Sequence, residues 1–228
     1  MGPVLDGRRF FACAAFASSI LTLLLILSPT PQSASPSDLL PYFRAHQTQF
    51  VVSAVAILIW AIVSVLLVVA AGQLVGGDRS TLAFAATLLC SGGILLLAFG
   101  TFVFLGAFFS LAAANDVIRD SAQANFQALI WHNLSFMLSD PGLMVLGAGQ
   151  VILGWLMWTR RALSRLVAAI LVLGGLAGLF TLAVYQTPTL AFAQLVAFAI
   201  TGVAFGWHLV RIANVPGAAR LNAEMPVK

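Results

Sequence analysis

Charged residues in this chain are confined to a few narrow zones. Residues 10–37, 45–77, 80–115, 141–159 and 166–210 contain no Asp, Glu, Lys or Arg. The stretch 121–139 is equally free of charge but more polar. This spacing identifies the solvent. A helix needs about 20 apolar residues to cross a hydrocarbon core of about 30 Å. Inside that core the backbone must be hydrogen-bonded within its own helix or within a closed barrel. Runs such as Leu82–Leu89 and Leu95–Phe109 lack the two-residue alternation of a barrel strand. The chain therefore reads as all-α, an integral membrane bundle. Its composition agrees, with 61% hydrophobic and 8% charged residues, where soluble domains carry about 25% charge.

Breaks in the apolar pattern predict six transmembrane helices over about 9–28, 49–74, 81–111, 141–159, 165–185 and 189–211. Ser28-Pro29-Thr30-Pro31 ends the first, Gly76-Gly77-Asp78-Arg79 separates the second from the third, and Gln186-Thr187-Pro188 separates the fifth from the sixth. Ser139-Asp140-Pro141-Gly142 interrupts the fourth region. Asp140 suits an N-cap and Pro141 a first helical turn, so the fourth span is expected to start at Pro141. The segment before it, about 116–138, then reads as one external amphipathic helix. One face carries Asn125, Ala128, His132, Ser135 and Ser139, and another Phe126, Ile130, Leu134, Met137 and Leu138. Residues 1–212 form one transmembrane domain, and 213–228 a flexible tail.

Orientation follows from the basic residues. Nine of them (Arg8, Arg9, Arg79, Arg160, Arg161, Arg165, Arg211, Arg220 and Lys228) fall on one side of this topology, and only Arg44 and Arg119 on the other. Both termini are thus expected in the cytoplasm. Trp155, Trp158 and Trp207 sit at the same ends as the basic majority, where an aromatic belt belongs. The net charge of +4 forms no clustered basic face, so nucleic acid is not an expected partner. Arg8-Arg9, an apolar run and Ser33-Ala34-Ser35 have the outline of a secretory signal, and Arg8-Arg9-Phe10-Phe11 loosely that of a twin-arginine start. The run of 18 residues from Phe10 to Leu27 is longer than a signal core. An uncleaved first span is expected.

The stretch Gly147 to Leu179 runs Gly-Ala-Gly-Gln-Val-Ile-Leu-Gly-Trp-Leu-Met-Trp-Thr-Arg-Arg-Ala-Leu-Ser-Arg-Leu and continues through Gly174, Gly175 and Gly178. It resembles the fourth and fifth spans of a bacterial six-helix membrane family known as domain of unknown function forty-three eighty-six. His132 and the six-span layout are similar too. The resemblance implies an α-helical bacterial inner-membrane protein. It carries no activity, so it assigns no functional residue.

Polar groups inside a membrane are functional candidates. Gln150 lies near the centre of the fourth span and Gln194 one turn into the sixth. They could join helices by a hydrogen bond worth about 0.6 kcal/mol, or line a small polar pathway. On the opposite side from most of the basic residues, Arg44, His46, Asp116, His132 and Asp140 could converge. They could form a hydrated rim of ion pairs, such as Arg44 with Asp116 or Asp120, or hold a lipid headgroup or small solute. His46 and His132 are also weak candidates for a metal or haem. His208, beside Trp207 and Arg211, reads as an ordinary interfacial residue. Cys13 and Cys90 sit in apolar runs without metal-ligand spacing. No phosphate-binding loop, nucleophile elbow or zinc-protease motif occurs in the sequence.

Gly174-x-x-x-Gly178 and Gly202-x-x-x-Gly206 permit close helix approach. They serve a tight bundle, a homodimer or a membrane-protein partner equally well. The leading expectation is a non-enzymatic membrane component that binds lipid or a partner protein. The alternatives are a small-solute transporter using Gln150 and Gln194, and a haem- or metal-dependent redox protein using His46 and His132.

Overall fold

A computed structural model describes residues 3–27, 45–76, 80–114, 121–181 and 188–213. These residues form six helices and no strand: α1 (Pro3–Leu27), α2 (Gln47–Gly76), α3 (Thr81–Ala114), α4 (Ser121–Arg160), α5 (Arg165–Phe180) and α6 (Pro188–Ala213). Five are long and apolar enough to cross a membrane, and α5 is a shorter apolar helix. The chain is a multi-pass membrane protein. The part of the expected fifth span beyond Thr181, the expected external residues 116–120, and the tail from residue 214 lie outside the described residues.

Each helix packs on its neighbours in the chain, and α6 closes onto α1. The result is a ring in sequence order. Every neighbouring pair is antiparallel. Ser18 and Thr22 of α1 meet Ser64 and Trp60 of α2. Gly93 and Gly100 of α3 meet Leu146 and Ser139 of α4, and Gly202 and Gly206 of α6 meet Ser19 and Phe16 of α1. Arg8, Arg9, Arg160, Arg161, Arg165 and Arg211 are the six described members of the basic majority. The alternation brings all of them to one face of the bundle.

Backbone proximity explains where the glycines fall. A Cβ on Gly149 would stand 2.6 Å from the backbone nitrogen of Cys90 and 2.9 Å from the Ala86 carbonyl. A Cβ on Gly147 would stand 2.6 Å from the Gly175 carbonyl. Both glycine pairs noted in the sequence, Gly174 with Gly178 and Gly202 with Gly206, face helices of the same chain.

Capping closes the short turns. Ser80 accepts from Ala83 N at 3.3 Å, and Ser164 from Val167 N at 3.3 Å. Helix α4 ends with Arg161 in the left-handed region (φ 54) and Ala162 N donating to Met157 O at 3.2 Å. That is a Schellman ending with arginine where glycine is usual.

One expectation is corrected. Asp140-Pro141 does not end a helix, and residues 121–138 are not a separate one. They are the first half of α4, a single helix of 40 residues with Pro141 inside it. Proline removes one backbone donor, and in a membrane helix neighbouring structure compensates for that. Here α3 lies against both sides of the proline. A Cβ on Gly142 would meet Leu97 N at 2.9 Å and Gly93 O at 3.1 Å, and one on Gly100 would meet Ser135 O at 3.0 Å. The two-faced pattern is present, with the smaller face inward. Ala128 and Ser135 are buried, while Phe126, Ile130, Leu134 and Met137 are exposed. At 1.5 Å per residue α4 is about 60 Å long, about twice a hydrocarbon core.

Gly149→Leu should destabilise the protein by at least about 1–3 kcal/mol, because the opposing atoms are backbone and cannot move aside. A Cβ added at Gly106 would meet nothing within 4 Å, so Gly106→Ala should leave stability unchanged or raise it by up to about 1 kcal/mol. Thermal midpoints in detergent, read by size-exclusion chromatography, check both.

Candidate functional site

The ring interior is largely apolar. Its buried polar side chains include Gln150 of α4 and Gln194 of α6, both fully buried. Gln194 Nε2 donates to the Leu143 carbonyl at 2.9 Å and to Gln150 Oε1 at 3.2 Å. The structure thus joins the two glutamines that the sequence singled out separately. The Gln194 amide lies against Gly178 of α5, where a Cβ would collide with its Cδ, Nε2 and Oε1. Three helices therefore meet at one side chain.

Two amide atoms have no hydrogen-bond partner, Gln150 Nε2 and Gln194 Oε1. Reversing the amides does not remove the problem. Leu143 O can only accept, so it must face Gln194 Nε2. That NH2 in turn requires an oxygen on Gln150. A buried amide group left unpaired costs about 1–3 kcal/mol. Gln150 also lines a cavity of about 20 Å³ at the ring centre, with Cys90, Leu171 and Thr201 among its other walls.

A second polar cluster joins α1 to α2. Ser18 and Ser64 share a hydrogen bond of 2.7 Å, and Trp60 Nε1 donates to Thr22 Oγ1 at 2.8 Å. Thr22 in turn donates to the Ser18 carbonyl at 2.7 Å. All four side chains are buried. The sequence reading missed these residues. The available signal was Ser18 and Thr22 one turn apart, with a tryptophan in the middle of a span rather than at its end.

The proposed rim of Arg44, His46, Asp116, His132 and Asp140 is described only in part. Arg44 and Asp116 lie outside the described residues, and of His132 only the helical backbone is described. His46 is half-buried at the start of α2, and Asp140 is half-buried within α4. Among the described residues no three His, Cys, Asp or Glu side chains could share a metal ion.

At the basic face, Trp155, Trp158 and Trp207 are exposed. The Arg165 guanidinium lies 5.8 Å from the Trp158 ring centre, within cation–π range. Arg160 donates to the Val75 carbonyl and to Ser80 Oγ, tying α4 to the α2–α3 turn. Asp140 lies far along α4 from Arg160.

Helices α4 and α5, which carry the Gly147–Leu179 stretch, meet through Gly147, Gly154 and Gly175. The family described as Domain of unknown function (DUF4386) matches residues 11–213. The chain belongs to that family. No curated protein and no solved structure matches the chain. The DUF4386 match runs from Phe11 within α1 to Ala213 at the end of α6 and includes both polar clusters.

Gly178→Ala should push the Gln194 amide off its partners and cost about 1–2 kcal/mol, the usual scale of lost hydrogen bonds. In a Gln194→Ala background the same change should be nearly neutral. A double-mutant cycle on unfolding in mixed micelles measures the coupling.

Proposed function

We propose that the chain is a non-enzymatic, lipid-binding component of a bacterial cytoplasmic membrane, with both termini cytoplasmic. The observation that carries this reading is the basic face, where six described arginines and three exposed tryptophans gather. Such a rim matches anionic phospholipid, since each basic group near an anionic leaflet contributes about 1 kcal/mol. Arg161 supports it further. A side chain in the left-handed region costs about 1–2 kcal/mol, and here that position holds a cation at the basic face. Exposed Leu166, Leu173, Phe99, Ile62 and Val203 present apolar surface to acyl chains around the perimeter. The excess of basic residues on this face is the reason for assigning it to the cytoplasm.

The first half of α4 fits the same reading. Its outward stripe of Phe126, Ile130, Leu134 and Met137 is suited to lipid or to an apolar partner, and its smaller face is spent on α3.

A second reading, small-solute transport past Gln150 and Gln194, draws on the two unpartnered amide atoms at mid-depth. The cavity of about 20 Å³ admits nothing larger than water, so this reading requires α4 and α6 to part. Unchanged uptake and efflux in a Gln150→Ala strain would count against it.

Native mass spectrometry of protein released from mixed-lipid nanodiscs tests the first reading. Phosphatidylglycerol should be retained over phosphatidylethanolamine, and the retention should fall several-fold in the Arg161→Ala/Arg165→Ala double variant. Equal retention of the two lipids would sink the proposal. For orientation, a cysteine placed at Arg161 should resist an impermeant maleimide in intact cells and react in inverted vesicles.

A further inference from the structure

The central cavity and the unpartnered Gln150 amide belong together. Gln150 uses Oε1 on Gln194, so its NH2 is the group left for the cavity it lines. Helices α4 and α6 run parallel, each reaching the basic face at its C-terminal end. Leu143 and Gln150 are seven residues apart on α4, and Gln194 and Thr201 are seven apart on α6. The pairs Leu143–Gln194 and Gln150–Thr201 are therefore related by two helical turns, about 10.5 Å along the bundle. Gln194 spans the first pair directly, with Nε2 on the Leu143 carbonyl at 2.9 Å. Threonine is too short to do the same for the second. Its hydroxyl hydrogen goes to the Ala197 carbonyl at 2.8 Å, which leaves its oxygen able to accept.

We propose that this cavity is a site for one water molecule, which accepts a hydrogen bond from Gln150 Nε2 and donates one to Thr201 Oγ1. The volume of about 20 Å³ exceeds the roughly 10–15 Å³ that a water needs, and two to four polar partners are its usual complement. Cys90, also in the wall, offers sulfur as a weak third acceptor for the other hydrogen. No charged residue lines the cavity, so nothing there selects an ion. The remaining walls are apolar, with Leu, Val, Met, Phe and Ala side chains and Gly202, and they exclude any larger polar guest. The water completes a polar chain from the Leu143 carbonyl through Gln194 and Gln150 to Thr201, tying α4 to α6 at two heights.

A map of the full-length protein in lipid nanodiscs, at a resolution that shows ordered water, tests this. One peak is expected within about 2.7–3.2 Å of both Gln150 Nε2 and Thr201 Oγ1. An empty cavity, or a peak beyond hydrogen-bond reach of Nε2, overturns the proposal. Thr201→Val preserves shape and removes the acceptor. The peak should vanish or lose most of its occupancy, and full occupancy in that variant overturns the proposed bridge. Should Thr201→Val fail to fold, radiolytic labelling of the unaltered protein in ¹⁸O water reads the same site. Met157, in the cavity wall and only 1% exposed, should take up label, and an unlabelled Met157 beside labelled surface methionines refutes the site.

Discussion

Close approach of backbones holds this ring together. Lipid tails are as apolar as leucine, so burial of apolar faces drives helices together far less in a bilayer than in water. Packing and short-range polar contacts must do more. Glycines at the helix contacts let carbonyls and amides of adjacent helices come within van der Waals range, as between Gly147 and Gly175 or Gly149 and Cys90. Large apolar side chains lie on both sides: Trp60, Phe198 and Phe205 are buried, while Leu82, Phe84, Leu166 and Trp207 are turned outward. The exposed apolar perimeter follows from the solvent.

The same closeness limits what the interior can hold. Its polar groups are uncharged amides and hydroxyls, each tied over short distances. Ser19, Thr22, Thr87, Thr101 and Thr201 return their hydroxyl hydrogens to carbonyls four residues earlier in their own helices. The Ser18–Ser64, Trp60–Thr22, Cys90–Leu146 and Gln194 contacts cross between helices through buried side-chain donors. The Gln194 node stands apart because it engages α4 by two bonds and presses on Gly178 of α5. A polar path for solutes needs a continuous wet lumen, and this interior offers isolated nodes separated by Leu, Val and Phe. Among the described residues, arginines and exposed tryptophans gather at one face, which is where the proposed lipid-binding role finds its groups.

Much of the architecture was legible because a bilayer imposes crude rules. Charge-free runs had to be helices, and most of the arginines that bound them fall on one side. The structure brings Arg8, Arg160, Arg165 and Arg211 to one face accordingly. Gln150 stood out near the centre of the fourth span and Gln194 one turn into the sixth, yet nothing in one dimension paired them. Their pairing depends on α4 and α6 running parallel across the ring interior. Ser18, Thr22 and Ser64 were overlooked because isolated hydroxyls in apolar runs are common, and only the α1–α2 contact makes them a cluster.

The break at Asp140-Pro141 is the instructive error. Local rules favour a helix start there, since aspartate caps and proline fits the first turn. Those rules weigh one strand of chain against water. In the folded protein Gly93, Leu97 and Gly100 of α3 lie against Ser135, Ser139 and Gly142 of α4, and that packing carries one helix through the proline. Hydrophobic pattern and charge spacing by themselves determined the class, the membrane solvent, the helices and the gathering of arginines on one face, because these depend on transfer of side chains between water and lipid. Tertiary structure decided the continuity of α4, the closing of α6 onto α1, and the meeting of Gln150 with Gln194, because those depend on which backbones come close enough to touch.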